Sequence, residues 1–222
     1  MFKRLTYDMK NLLSLLLVML MFVSVANAQQ DPQASKILNA MSQKYRSMKA
    51  FKADFAQTLE NPSAKVKETM NGNITVSGDK YRLGVSGQEI ISDGKNMYTF
   101  LKDANEVTIT EADEEAEAMA PSKIFDMYKK GYKYAYAGTE TLGGVKHDVI
   151  ELSPEDRKNP IYKVRLYISQ KDKTLKSWKM FRNNGNQYSY TINNFQANPT
   201  LATDAFTFNK AKYKGVTVVD LR

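Results

Sequence analysis

Apolar and polar residues alternate along most of this chain, and that alternation predicts a β-sheet. From Phe51 onward the apolar side chains recur at every second residue, so Phe51, Ala53 and Phe55 would share one face of a strand. Similar segments follow at 66–76, 81–85, 132–138, 145–152, 161–169 and 175–181, each bounded by Gly, Asn, Asp or Pro. The pattern favours a mainly β fold with a single antiparallel sheet of about eleven strands.

The sharpest hairpin signal lies at 88–100, where two apolar runs flank Asp93-Gly94. Asp-Gly readily supplies the two positive φ angles that a type I′ turn needs. The sequence therefore predicts two antiparallel strands joined by that turn.

Two segments break the alternation and predict helices. The first, 33–48, follows Asp31-Pro32, a good N-cap with Pro at the first helical position, and carries one apolar stripe. The second, 112–131, contains most of the acidic run 111–117, is interrupted at Pro121, and places Ile124, Met127 and Tyr128 on one face. Its position between strands is typical of a lid.

An eleven-strand sheet with one apolar face should curl into a barrel or half barrel. Two short helical regions can cover only part of the concave face, so we expect an apolar cavity suited to an apolar ligand. The alternative, which the sequence leaves open, is that the inward aromatic side chains simply fill a core.

The N-terminal residues have the pattern of a secretory signal peptide at 1–28. Lys3, Arg4 and Lys10 precede an apolar run, and Ala26-Asn27-Ala28 has the form that signal peptidase cleaves. Cleavage would leave one domain, 29–222. The alternative, an uncleaved membrane anchor, is less favoured because the apolar run is shorter than the roughly 20 residues of a spanning helix. With no Cys to carry a lipid or a disulfide, we expect an exported, unacylated periplasmic protein.

Charge and chemistry exclude several functions. The net charge of +8 favours anionic partners, but export argues against nucleic acid. His147 is the single histidine and is expected to be half-exposed and structural, Ser86 does not match a nucleophile elbow, and no metal or cofactor motif occurs. We therefore expect no enzyme, no metal and no cofactor, although a carboxylate pair for glycoside hydrolysis is left open.

The order of several segments resembles one known family, the periplasmic outer-membrane lipoprotein carriers (LolA-like proteins). The matching segments are YRSMKAFKADFAQTL, GNITVSGDKYRL, ISDGKNMYTF, PSKIF, VIELSP, LKSWKMFRNNGNQYSYTINNF and FTFNKAKYKGVTVVDLR. They span essentially the whole chain after residue 28.

The resemblance implies a strongly curved half barrel, covered by an N-terminal helix and a helical lid. It also implies a monomeric carrier that takes acylated lipoproteins from an inner-membrane ABC release complex to an outer-membrane receptor. The alternative is another periplasmic lipid- or lipopeptide-binding or sensing module of the same fold. The implied acyl-chain-binding residues are Phe55, Tyr81, Leu83, Met97, Ile124, Met127, Tyr128, Trp178, Met180 and Tyr190.

One position departs from the family pattern. Where its best studied members have an arginine that ties the lid shut, this chain has Ser77-Gly78-Asp79-Lys80. Lys80 is therefore expected to take over lid closure, although lysine lacks the rigid fork of arginine.

Overall fold

The computed structural model describes residues 30–112 and 124–222. The predicted signal peptide, 1–28, and residues 113–117 of the acidic run lie outside the described residues.

Helix α1 (Pro32–Arg46) begins where the sequence indicates and ends two residues earlier than expected. The Asp31 carboxylate caps it by accepting hydrogen bonds from the backbone N–H groups of Gln33 and Ala34, at 2.8 and 3.1 Å. Its apolar stripe, which includes Leu38 and Met41, is buried. No helix among the described residues has the length and apolar character needed to cross a membrane.

Twelve strands account for most of the described chain, one more than predicted. Their bounds are β1 (Phe51–Asn61), β2 (Val66–Ser77), β3 (Lys80–Val85), β4 (Gln88–Ser92), β5 (Asn96–Leu101), β6 (Glu106–Glu111), β7 (Tyr132–Leu142), β8 (Val145–Pro154), β9 (Ile161–Ser169), β10 (Leu175–Arg182), β11 (Gln187–Ala197) and β12 (Thr217–Asp220).

The strands form one sheet in the order β12-β6-β5-β4-β3-β2-β1-β11-β10-β9-β8-β7. All neighbours pair antiparallel except β12, which lies parallel to β6. The sheet is open, with β12 and β7 at its two edges. These features confirm the predicted curved half barrel.

The two faces of the sheet differ in what covers them. The concave face packs against α1 in the main core, where Leu38, Met41, Ile150 and Leu166 are almost fully buried. On the convex face a smaller cluster forms around Val107 where the C-terminal segment folds back. The cavity described below lies on the concave side.

The β4–β5 hairpin forms as predicted, but its turn is not type I′. Gly94 has a positive φ of 89°, whereas Asp93 does not have a positive φ. The Asp93 carboxylate instead accepts hydrogen bonds from the backbone N–H groups of Lys95 and Asn96, both at 2.8 Å. These bonds stabilise a three-residue loop with only one left-handed residue.

The lid expectation is partly corrected. Of the predicted helical segment 112–131, residues 113–123 lie outside the described part, and the rest contains a 3-10 helix at Met127–Lys129. The side chain of Asp126, the N-cap residue, makes no capping hydrogen bond to this helix, and its carboxylate contacts α1 instead. The long-range contact thus replaces the local cap that would favour an α-helix here.

Side chains at the start of α1 protect the edge strand β7. Gln30 bonds to the Tyr132 carbonyl and the Tyr134 N–H, at 2.9 and 3.0 Å, and Asp31 accepts from the Tyr136 N–H at 2.8 Å. These bonds occupy backbone groups that an edge strand would otherwise offer to another chain.

Candidate functional site

A cavity of about 560 Å³ lies between the concave sheet, α1 and the segment that precedes β7. Its wall is apolar and rich in aromatic rings, and its volume falls within the range typical of ligand sites. The lining residues are Tyr45, Phe51, Ala53, Phe55, Gln57, Ile74, Leu83, Val85, Ile124, Phe125, Met127, Val164, Trp178, Met180, Tyr190, Ile192 and Phe195.

Cross-strand pairing places the central rings of the cavity floor. Trp178 on β10 lies directly opposite Tyr190 on β11, and their rings stack with centroids 4.5 Å apart and planes 6° apart. Phe55 on β1 lies beside them, 6.4 Å from Tyr190. Its ring passes over Gly72, where an added Cβ would come within 2.4 Å of the Phe55 Cζ atom. Gly72 therefore leaves the space that this ring occupies.

Residues 124–130, here called the cap segment, cover one end of the cavity. Ile124, Phe125 and Met127 all contribute to its wall. The Phe125 ring stacks on Tyr45 of α1 with centroids 3.5 Å apart and planes 10° apart. The cap segment is therefore attached to the helix through an aromatic contact that also forms part of the cavity.

A polar cluster on the other side of the cap segment joins it to α1. The Asp126 carboxylate accepts hydrogen bonds from the Ser42 hydroxyl and the Arg46 guanidinium, both at 2.6 Å, and lies 2.7 Å from the Lys129 ammonium. Nearby, the Tyr128 hydroxyl donates to the Asn39 side-chain oxygen at 2.8 Å. We call the Asp126–Ser42–Arg46–Lys129 group the latch.

The latch keeps Asp126 ionised over a wide pH range. Partial burial acts to raise the pKa of this carboxyl group, but hydrogen bonds from Lys129, Ser42 and Arg46 outweigh burial and lower its pKa from 3.8 to about 2. The charged form that the latch requires is therefore the form present at neutral pH.

The structure brings most of the implied acyl-chain-binding residues to one place. Seven of them line the cavity: Phe55, Leu83, Ile124, Met127, Trp178, Met180 and Tyr190. The other three lie outside its wall. Tyr81 is buried in the core and its hydroxyl contacts the Met97 sulfur at 3.6 Å, while Tyr128, within the cap segment, is buried and bonds to Asn39 of α1. Whether any of these residues contacts an acyl chain stays a prediction.

Lys80 occupies the exposed start of β3, near the Asp93–Gly94 loop. Within residues 30–112 and 124–222 its side chain makes no hydrogen bond to the cap segment, so its role in lid closure stays a prediction.

The latch was missed by sequence reasoning. The sequence signal for the latch was an acidic residue, Asp126, close to the basic pair Lys129-Lys130, with a further basic residue, Arg46, at the end of α1.

Sequence reasoning also missed several wall residues, including Tyr45, Phe51, Gln57, Phe125 and Phe195. The period-two alternation that places Phe51 and Phe55 on one face extends to Gln57, so the sequence pattern contained the signal for Phe51 and Gln57.

His147 is buried, with 3% of its surface exposed, so the expectation of a half-exposed position was wrong. Its Nδ1 atom lies 2.8 Å from the Val145 carbonyl oxygen, a local contact that fits a structural role. Among the residues that the structure describes, no group of three His, Asp or Glu side chains is placed to hold a metal ion.

The model of one protein family, the outer membrane lipoprotein carrier protein LolA, matches residues 46–209. The chain belongs to the LolA family. Proteins of this family are periplasmic, and the LolA superfamily fold binds lipids or lipoproteins.

Individual relatives are distant. An uncharacterised protein from Methanocaldococcus jannaschii is 24% identical over 200 residues, which cover 89% of this chain and 57% of that protein. This chain thus spans little more than half the length of that relative.

Two solved structures share the fold of this LolA-family chain. An uncharacterised conserved protein from Thermus thermophilus has a TM-score of 0.57 at 12% identity, covering 85% of this chain and 99% of its own. LprF from Mycobacterium bovis has a TM-score of 0.50 at 14% identity, covering 79% of this chain and 98% of its own. At these identities the similarity concerns the fold alone.

Proposed function

We propose that this protein carries acylated lipoproteins through the periplasm, holding their acyl chains in the concave cavity. The observation that carries the proposal is a cavity of about 560 Å³ with an almost wholly apolar wall, in a chain of the LolA family. A core that only stabilised the fold would have been filled by its own side chains, because protein interiors are close-packed.

The energetics suit an acyl ligand. Each methylene group moved from water gains about 0.8 kcal/mol, so a dozen buried methylenes gain roughly 10 kcal/mol before ordering costs. A carrier must also release what it binds. The latch and the Tyr45–Phe125 stack stabilise a closed form whose opening would offset part of that gain.

The remaining parts of the proposal follow from the family. The exported protein would receive its cargo from an inner-membrane ABC release complex and deliver it to an outer-membrane receptor. It would act as a monomer, bind no nucleic acid, and catalyse no reaction.

A pair of substitutions on neighbouring residues of β2 tests the proposal. Ile74 lines the cavity, whereas Asn73 is exposed on the opposite face. Ile74→Glu places a carboxylate in an apolar wall, which is costly without a partner. We expect it to lower the release of lipoproteins from spheroplasts into the protein-containing medium at least tenfold.

Asn73→Glu adds the same charge outside the cavity and should keep near-normal release. Circular dichroism and urea unfolding establish that both variants are folded. Equal release by folded Ile74→Glu and Asn73→Glu proteins would contradict the carrier function.

A further inference from the structure

Three polar side chains cross the cavity floor in one continuous row. Trp178 on β10 pairs with Tyr190 on β11, and Tyr190 pairs with Gln57 on β1. Directly paired residues of antiparallel strands project from the same face, and all three side chains line the cavity. We call them the polar row.

The polar row is available to a ligand. Among residues 30–112 and 124–222, the Trp178 indole N–H, the Tyr190 hydroxyl and the Gln57 amide form no hydrogen bond with another protein group. None of these three groups is a fully buried polar atom without a partner; in the described chain, Arg82 Nε is the one such atom. Their hydrogen-bonding groups are therefore accessible from the cavity.

The chemistry of the row favours a neutral acceptor. An indole N–H only donates, a phenol readily donates, and an amide can donate twice, so the row offers more donors than acceptors. Burial raises the pKa of Tyr190, which keeps its hydroxyl protonated. A carbonyl oxygen of an ester or an amide matches this set.

The cavity wall disfavours a free carboxylate. Among the residues that the structure describes, none that lines the cavity is Lys, Arg or His, so an ionised fatty acid drawn this far into the wall would lack a cationic partner there. An ester or amide carbonyl carries no net charge and needs only the hydrogen bonds that the row supplies.

The row also has a defined position along the cavity. Gln57 and Phe51 are six residues apart on β1, roughly 20 Å at about 3.3 Å per residue. The wall between them, toward the cap segment, is apolar. A carbonyl held at the row would direct its hydrocarbon tail along this stretch.

We propose that the polar row binds the ester or amide carbonyl of an acyl chain and makes the cavity selective for linked acyl groups over free fatty acids. This inference rests on the proposed acyl-binding function. It assigns to Gln57 and Tyr190 a part in specificity that the apolar wall alone does not provide.

The test compares three ligands on the purified full chain: 1-hexadecanoylglycerol, hexadecanoate at pH 8, and the hydrocarbon probe diphenylhexatriene. Wild-type protein should bind the ester at least tenfold more tightly than the carboxylate. Gln57→Leu should weaken ester binding about three- to tenfold, the usual range for loss of one neutral hydrogen bond, while diphenylhexatriene binding is unchanged or tighter. Tyr190→Phe, which keeps the ring and removes only the hydroxyl, should act in the same direction.

Gln196→Leu makes the matched substitution at an exposed position of β11 and should change neither ligand. The role of the polar row is overturned if the wild-type protein binds the ester and the carboxylate equally. It is also overturned if the Gln57→Leu and Tyr190→Phe variants lose affinity for the ester and for diphenylhexatriene in proportion. Failure of the wild-type protein to bind even diphenylhexatriene overturns the acyl-binding function itself, so the two failures are distinguishable.

Discussion

Replacing Asp126 should loosen the cap segment without unfolding the sheet. The Asp126→Ala variant removes the acceptor for Ser42 and Arg46 of α1 and for Lys129. Hydrogen bonds to charged groups contribute about 1.5–3 kcal/mol when buried, but exposed ion pairs contribute less than about 1 kcal/mol. Because the Asp126 side chain is 30% exposed and Arg46 is 64% exposed, we discount the sum to about 2 kcal/mol.

A change of about 2 kcal/mol shifts the ratio of open to closed forms roughly thirtyfold. Trp178 is the single tryptophan and lines the cavity, so its fluorescence reports access to the interior. We expect acrylamide to quench Trp178 more strongly in Asp126→Ala, and amide hydrogen exchange to accelerate over 124–130 while β8 and β9 stay protected.

Asp204→Ala provides the control. It breaks the exposed ion pair between Lys212 and Asp204, whose charged atoms lie 2.5 Å apart, and neither residue lines the cavity. It should change neither readout. If quenching and exchange in Asp126→Ala match those of the wild type, the latch does not hold the cap segment closed.

Two further predictions concern pH and packing. The pKa of Asp126 is lowered in the folded protein, so its stabilising effect is present above about pH 4 and is lost as the pH falls toward 2. Acrylamide quenching of Trp178 should therefore be constant from pH 8 to 5 and rise below pH 4. An equal rise in the Asp126→Ala variant would refute the assignment of this effect to Asp126. Gly72→Ala should destabilise the protein by about 1–3 kcal/mol in urea unfolding, because the new Cβ would meet Phe55 at 2.4 Å and the Gly84 carbonyl oxygen at 2.8 Å. Gly84→Ala, whose Cβ would meet the Asn73 side chain at 3.2 Å, should cost less, and equal losses would argue against the Phe55 contact.

Local sequence patterns were sufficient to predict α1 and most of the strands. The period-two alternation that begins at Phe51 marks β1, and Asp31-Pro32 marks the start of α1 within one residue. Both signals depend on neighbours in the chain, so a sequence alone carries them. The open, curved sheet then follows from the number of strands and their single apolar face.

Features that depend on distant contacts were not predictable in this way. The Asp126 carboxylate makes no capping bond to its own helix and instead bonds to Ser42, 84 residues earlier in the chain. Tyr81 shares the concave face with Leu83, as the alternation implies, yet it lies in the core and Leu83 lies in the cavity wall. The alternation fixes the face of a side chain but not which part of that face α1 and the cap segment cover.

The most direct test of the central claim is to identify what the protein carries in the periplasm. The full-length chain, bearing a C-terminal affinity tag, would be exported, purified without detergent, and examined by intact mass spectrometry under native conditions. The account predicts co-purified polypeptides whose N-terminal cysteine carries ester- and amide-linked acyl chains, with much less of them on the Ile74→Glu variant. Recovery of an empty protein, or of free phospholipid with no acylated polypeptide, would contradict the carrier function.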